Sequence, residues 1–441
     1  MRRRTGATRL AVLIACTSAA AFARGQDQGA PSVPPTQPAQ PAPHETVPPA
    51  SPDAPGVPAA PGGPRIRQMM RLDAFLYMAL ERFKVPGMVA CAFNSAGILG
   101  VGAAGVQELG TDRVLRMTNP LHIGSCTKAF TATVVAMLVD GGRLRWDTTL
   151  AEALPDAAPT MHEAYKRVTV AQLMHHRAGL ASFTDGSAPE FALTRGLAGD
   201  GRAQRAAFAK AVLSRPPAHT PGDTFEYSNA GYGVAGAIAE RAGNDSWENL
   251  VRRLIFEPLR MDASGFGWPA TPEDPQRPLG HVLEGEALAP YPVNGDYRLP
   301  AALAPAGDIH ASMYDMLAFG VWQLRGLRGQ AQFLSEAGFN AIHTPDRGYA
   351  MGWMGGQWDG QRATFHNGSA GTFFAIMILV PGHDMGVVVM ANSGNAEEAC
   401  EAVMRDMLKR FGPQDPGPGP VPPDGAAPAT PPAGQGGAPK P

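Results

Sequence analysis

Four apolar stretches at opposite ends of the chain constrain its fold more than any other feature. PGMVACAFN (86–94) and GILGVGAAGVQ (97–107) come early; TFFAIMILVP (372–381) and MGVVVMAN (385–392) come late. Each has strand length, favours a pleated surface and is bounded by turn residues. GYAMGWMGGQW (348–358) and ATFHNG (363–368) read as two further strands in the later group. Between the groups, residues 143–340 are mainly helix and loop, with many prolines and glycines. Helices flank the strands. IRQMMRLDAFLYMALERF (66–83) and AEEACEAVMRDMLKRF (396–411) carry apolar residues at helical spacing. TKAFTATVVAMLVDGGRL (127–144) is apolar on nearly every face, so it reads as a buried helix stopped by Gly141 and Gly142. The expected architecture is an α/β fold of the α+β type. One antiparallel sheet is built from both chain ends, flanked by helices, with an all-helical insertion.

The extreme ends do not belong to that core. Residues 24–64 and 412–441 are rich in proline, alanine and glycine and have almost no large apolar side chains. Such segments bury too little surface to offset their ordering entropy, so they read as a disordered linker and a disordered tail around a folded part at 65–411. The start, MRRRTGATRLAVLIACTSAAAFARGQ, has a basic region, an apolar run and an Ala21-Phe22-Ala23 site, the pattern of a secretory signal peptide over 1–23. Leu13-Ile14-Ala15-Cys16 also resembles a lipoprotein signal, which would make Cys16 a lipid anchor and membrane tether. Either route implies export, to the periplasm or beyond. The formal net charge is −2, and removal of 1–23 deletes four arginines and no acid. With no long basic run, nucleic acid is not an expected partner. The cysteines are Cys16, Cys91, Cys126 and Cys400, which allow a Cys91–Cys400 bridge without requiring it. No metal-ligand spacing occurs, and neither a metal nor an organic cofactor is expected.

Three short motifs carry chemistry. In LHIGSCTKAF, Ser125 and Lys128 lie three apart on a helix, on one face. A serine hydroxyl is a poor nucleophile without a base beside it, and a buried lysine can serve as one. Cys126 is turned away by about 100° of helical rotation and reads as a packing cysteine. In PGDTFEYSNAGYG, Tyr227 and Asn229 lie at a loop-to-helix junction. A phenol there can relay a proton, and an amide can hold both an ammonium and a carbonyl. In ATFHNGSAGTFF, Gly368 allows a close backbone approach, so that the N–H of Ser369 can face that of Ser125 across an oxyanion. His366, when protonated, can bind a substrate carboxylate.

In this chain order, Ser-x-x-Lys, Tyr-x-Asn and His-x-Gly resemble the motif set of serine β-lactamases and penicillin-binding proteins. LMHHRAGL (173–180), APAGDIHASMYDMLAF (304–319) and GYAMGW (348–353) also resemble segments of that superfamily, and the likeness spans about 66–411. It implies a β-lactamase/transpeptidase-like fold and acyl transfer through a covalent acyl-enzyme. Ser125 would be the nucleophile, Lys128 its base and Tyr227 the proton relay. Asn229 would orient Lys128 and the substrate; the amides of Ser125 and Ser369 would stabilise the oxyanion. His366-Asn367-Gly368 stands where many relatives have Lys-Thr-Gly or Lys-Ser-Gly. That favours a D-Ala-D-Ala-type peptidase or an esterase, acting on a small molecule or a cell-wall peptide, over a β-lactamase proper. A non-catalytic cell-wall scaffold is the alternative of a different class. His175 and His176 read as helix-end and core histidines rather than metal ligands.

Overall fold

The computed structural model describes residues 69–413 apart from 286, 296 and 297. The signal segment, Cys16, the linker and nearly all of the tail therefore lie outside the described residues. Within them, twelve strands run in chain order: β1 Met70–Arg71, β2 Gly87–Asn94, β3 Gly97–Gly105, β4 Leu121–His122, β5 Gly265–Phe266, β6 His281–Glu284, β7 Ala287–Pro290, β8 Ile309–Ala311, β9 Met354–Trp358, β10 Gln361–Ser369, β11 Phe374–Val380 and β12 Met385–Ala391. Seven form the main sheet, in the order β1-β3-β2-β12-β11-β10-β9. The early and late strands meet where β2 pairs antiparallel with β12, Cys91 opposite Val388. The sheet is antiparallel throughout except for two-residue β1, which runs parallel to β3.

Strands β11 and β12 are buried along their whole length, which explains why they read as continuous apolar runs rather than alternating ones. Helices cover both faces, so every position of these strands faces a core. Met88, Ala90 and Ala92 point to one side, against helix α1 (Asp73–Phe83) and the C-terminal helix Glu397–Phe411. Val89, Cys91 and Phe93 point to the other, into the larger core shared with helix α2 (Thr127–Asp140) and the helix Met313–Leu327. Eleven of the fourteen α2 residues are buried. This helix sits between the sheet and the helical half, and it needs no polar face.

Four expectations are revised. Helix α1 starts at Asp73, because Met70 and Arg71 pair with Gly100 and Val101 instead of joining it. Residues 348–353 are turns, and the strand begins only at Met354. The insertion is not all helix: β5 and β8 lie in it and form a three-stranded sheet with β4, and β6 and β7 form a hairpin. Cys91 and Cys400 are free thiols on opposite faces of the main sheet, so no bridge can join them.

Candidate active site

The site is assembled where α2 begins against the open end of β10. A short 3-10 turn, Gly124–Cys126, precedes α2 and carries Ser125 at its centre. Strand β9 pairs with β10 only as far as Phe365, opposite Met354, which leaves residues 366–369 to meet the turn. The approach is too close for side chains. A Cβ on Gly368 would lie 2.5 Å from the Ser125 nitrogen, and one on Gly124 would lie 2.6 Å from the Ser369 nitrogen. Gly124 also has φ +51°, a left-handed conformation that favours glycine. The two glycines thus bring the amides of Ser125 and Ser369 to one seam.

Lys128 is wholly buried. Its Nζ donates to Asn229 Oδ1 at 2.7 Å, to the Ala306 carbonyl at 2.8 Å and to Ser125 Oγ at 3.2 Å. It also stands over the rings of Tyr227 and Tyr232, 4.6 and 5.5 Å from their centroids. All three named acceptors are neutral oxygens. The same contacts serve a neutral amine, which would accept the Ser125 hydroxyl proton and donate to the other two.

Asn229 opens the helix Asn229–Gly243, and Ser228 caps it by accepting the Gly231 N–H at 3.0 Å. Asn229 donates through Nδ2 to the Phe183 carbonyl at 3.0 Å, which leaves Oδ1 to Lys128. The Tyr227 hydroxyl is buried beside this knot. His176 supports the same junction from below. Its Nδ1 accepts the Ser228 N–H at 3.0 Å and its carbonyl accepts the Glu226 N–H at 3.0 Å. His176 and Phe183 both have positive φ, 59° and 51°, uncommon for bulky residues and concentrated at functional sites. Neither is readily found from sequence; the only hint was the LMHHRAGL likeness. His175 bonds the Tyr349 carbonyl through Nδ1. No metal-ligand cluster occurs among the described residues.

His366 departs from expectation. It lies on β10 but is only 2% exposed. Its Nδ1 donates to the Asn367 carbonyl at 2.5 Å and its Nε2 is engaged with the Tyr349 hydroxyl at 3.1 Å. Burial, with the nearby Lys128 charge, pushes its pKa down to about 3. This argues against a protonated His366 gripping a substrate carboxylate at neutral pH; the ring bridges β10 and Tyr349. Cys126 behaves as expected. Its thiol points away from the serine toward the His366 carbonyl at 3.3 Å, and burial raises its pKa to about 12.

Comparison with known proteins places this geometry in context. The β-lactamase family model matches residues 66–409. Penicillin-binding protein 4 of Amycolatopsis lactamdurans is 28% identical over 341 residues, covering 74% of this chain and 85% of that protein. The unguisins hydrolase of Aspergillus campestris is 26% identical over 332 residues, covering 71% of this chain but only 60% of its own length. Among solved structures, the octameric penicillin-binding protein homologue from Pyrococcus abyssi superposes with a TM-score of 0.62 at 22% identity, covering 76% of each chain; that likeness speaks for the fold alone. The family match takes in both halves of the main sheet and everything between them, and the chain belongs to the β-lactamase family.

Proposed function

We propose that the protein is a serine hydrolase that cleaves amide or ester bonds through an acyl-enzyme on Ser125. The observation that carries this reading is the contact of Lys128 Nζ with Ser125 Oγ at 3.2 Å, with Asn229 and the Ala306 carbonyl holding the amine in place. Lys128, as the neutral amine, takes the hydroxyl proton while Oγ bonds to the substrate carbonyl carbon. The carbonyl oxygen becomes an oxyanion that accepts from the Ser125 and Ser369 amides. The tetrahedral adduct collapses, and the leaving amine or alkoxide takes a proton relayed through Tyr227 from Lys128. Water then attacks the ester by the reverse path and releases the acid. None of these steps calls on a metal or an organic cofactor.

Within this reaction class, small D-amino-acid peptides and short acyl esters are the favoured substrates. His366 supplies no positive charge to hold a substrate carboxylate, which weakens the case for antibiotics and for peptides ending in a free carboxylate alike and so ranks short acyl esters first. Among the relatives, one is named a penicillin-binding protein and one an unguisins hydrolase. Export, with residues 24–64 as a tether, belongs to the same proposal. Incubation with a fluorophosphonate followed by intact-mass measurement tests the core reading. A single adduct on the wild type and none on Ser125→Ala is the expected result; unchanged labelling of Ser125→Ala would overturn it. Absence of any adduct on the wild type supports the non-catalytic scaffold instead. A panel of nitrocefin, a D-Ala-D-Ala peptide and p-nitrophenyl esters then ranks the substrates.

A further inference from the structure

The nucleophile turn has a support that the reaction itself does not use. His122, on β4, is fully buried and packs against Trp268 with ring centroids 4.7 Å apart. Its Nδ1 accepts the Gly124 N–H at 3.1 Å. A backbone amide only donates, so Nδ1 is unprotonated and the ring hydrogen sits on Nε2. Nε2 in turn faces Asp308 Oδ1 at 3.4 Å. Asp308 directly follows the short helical turn Ala304–Gly307, and its own N–H bonds the Ala304 carbonyl at 3.0 Å. That turn supplies the Ala306 carbonyl to Lys128 Nζ. One step further on, the Ile309 N–H donates to Thr127 Oγ1 at 3.1 Å, and the Ile309 carbonyl accepts the Ile123 N–H at 2.9 Å. A single linkage therefore runs from the residue before the nucleophile to the carbonyl that holds its base.

We infer that His122 and Asp308 form a positioning dyad that fixes the Ser125–Lys128 spacing by tying the Gly124 amide to the Ala304–Gly307 turn. The inference rests on the reading of Ser125 as nucleophile. Neither dyad residue touches the serine hydroxyl or the lysine amine, so both act through others. The need for such a device follows from Gly124. Close approach to β10 requires a glycine there, and glycine is the residue least able to hold its own conformation. An imidazole meets the need because it accepts from the buried amide on one edge and donates toward the carboxylate on the other.

The test is fluorophosphonate inactivation of the full chain, resolved into a maximal rate and a half-saturating probe concentration. His122→Ala is expected to slow the maximal rate about 10- to 100-fold, the cost of a misplaced reacting pair. The half-saturating concentration should stay within about twofold of wild type, since the binding surface is untouched. His122→Asn, whose Oδ1 stands where Nδ1 stood, should recover a large part of the loss. A maximal rate in His122→Ala equal to wild type overturns the dyad. So does a loss that His122→Asn fails to recover, because that indicates a packing role. Should His122→Ala not fold, Asp308→Ala leaves the ring in place and carries the same test: slower labelling at unchanged half-saturation supports the dyad, and wild-type labelling overturns it. A wild type that takes no label at all breaks the hydrolase reading itself, a different outcome from any of these.

Discussion

Two buried basic side chains sit in two regions of this molecule, and their surroundings differ in kind. Arg205, in the helical half, is wholly buried. It contacts Glu240 Oε1 through Nε at 2.9 Å and Nη2 at 2.6 Å, and Glu248 through both terminal nitrogens at 2.7 and 3.0 Å. Lys128 is equally buried but is held by a hydroxyl, an amide oxygen and a peptide carbonyl. The guanidinium is locked between carboxylates, bidentate and permanently charged, and its knot ties the helix Gly201–Leu213 to its neighbours. The lysine Nζ meets three neutral oxygens, so gain or loss of its proton strands no anion among these partners. A buried basic group serves structure in the first region; in the second, under the proposed mechanism, it is placed for proton transfer.

Substitution should separate the two. Lys128→Met is expected to lower the fluorophosphonate acylation rate by about 10³-fold, near the middle of the range for loss of a general base, while the thermal unfolding midpoint stays close to wild type. Equal loss of folding would break the comparison. Arg205→Met should do the opposite. Removing it leaves Glu240 buried and Glu248 partly buried without their partner, which costs about 3–5 kcal/mol of stability, read as a lower urea midpoint, with acylation of the protein that remains folded unchanged. Asn229→Ala removes one of the holders of Lys128, and an intermediate loss in acylation rate of about 10- to 100-fold is expected, without a change in the urea midpoint.

The smallest effect is in pH dependence. The folded-state pKa values of His366 and His343 are held down to about 3 by burial, against an ordinary value of 6.5. Between those values the unfolded chain binds more protons than the folded one. Their stabilising contribution is therefore fully present above about pH 6.5 and is lost progressively as pH falls toward 3. Thermal melts from pH 7 to 4 should show this decline, and His343→Gln should reduce it. Affinity for carboxylate substrates, by contrast, should show no His366-dependent change between pH 5 and 8. A titration step in that window that vanishes in His366→Gln would contradict the neutral bridge.

Much of the site was legible because its chemistry is local. Ser125 and Lys128 are three residues apart on one helix turn, and that spacing alone turns them together and turns Cys126 away. Tyr227 and Asn229 were legible through their place at a helix start after a proline-glycine turn. The strand that carries His366 was legible, but its protonation state was not, since burial and the Tyr349 contact come from elements seventeen or more positions away. His122, His176, Ala306 and Asp308 had no legible role in the site; the segments that carry the last three were marked only by their likeness to the family. Their roles depend on contacts across 52 residues for His176 and Ser228, and across 186 for His122 and Asp308.

By itself, the sequence determined most of the main-sheet strands and the buried helix α2, because apolar periodicity and turn residues act over a few neighbours. It also determined that the sheet must draw on both ends of the folded part, and which serine and lysine stand together. Tertiary structure alone decided that Cys91 and Cys400 face opposite cores, that His366 is neutral, and that a lysine amine rests among neutral oxygens. The physical reason is one of range. Periodicity and propensity are properties of neighbours in the chain. Desolvation, hydrogen-bond partners and the charge of a titratable group belong to whatever the fold packs around it.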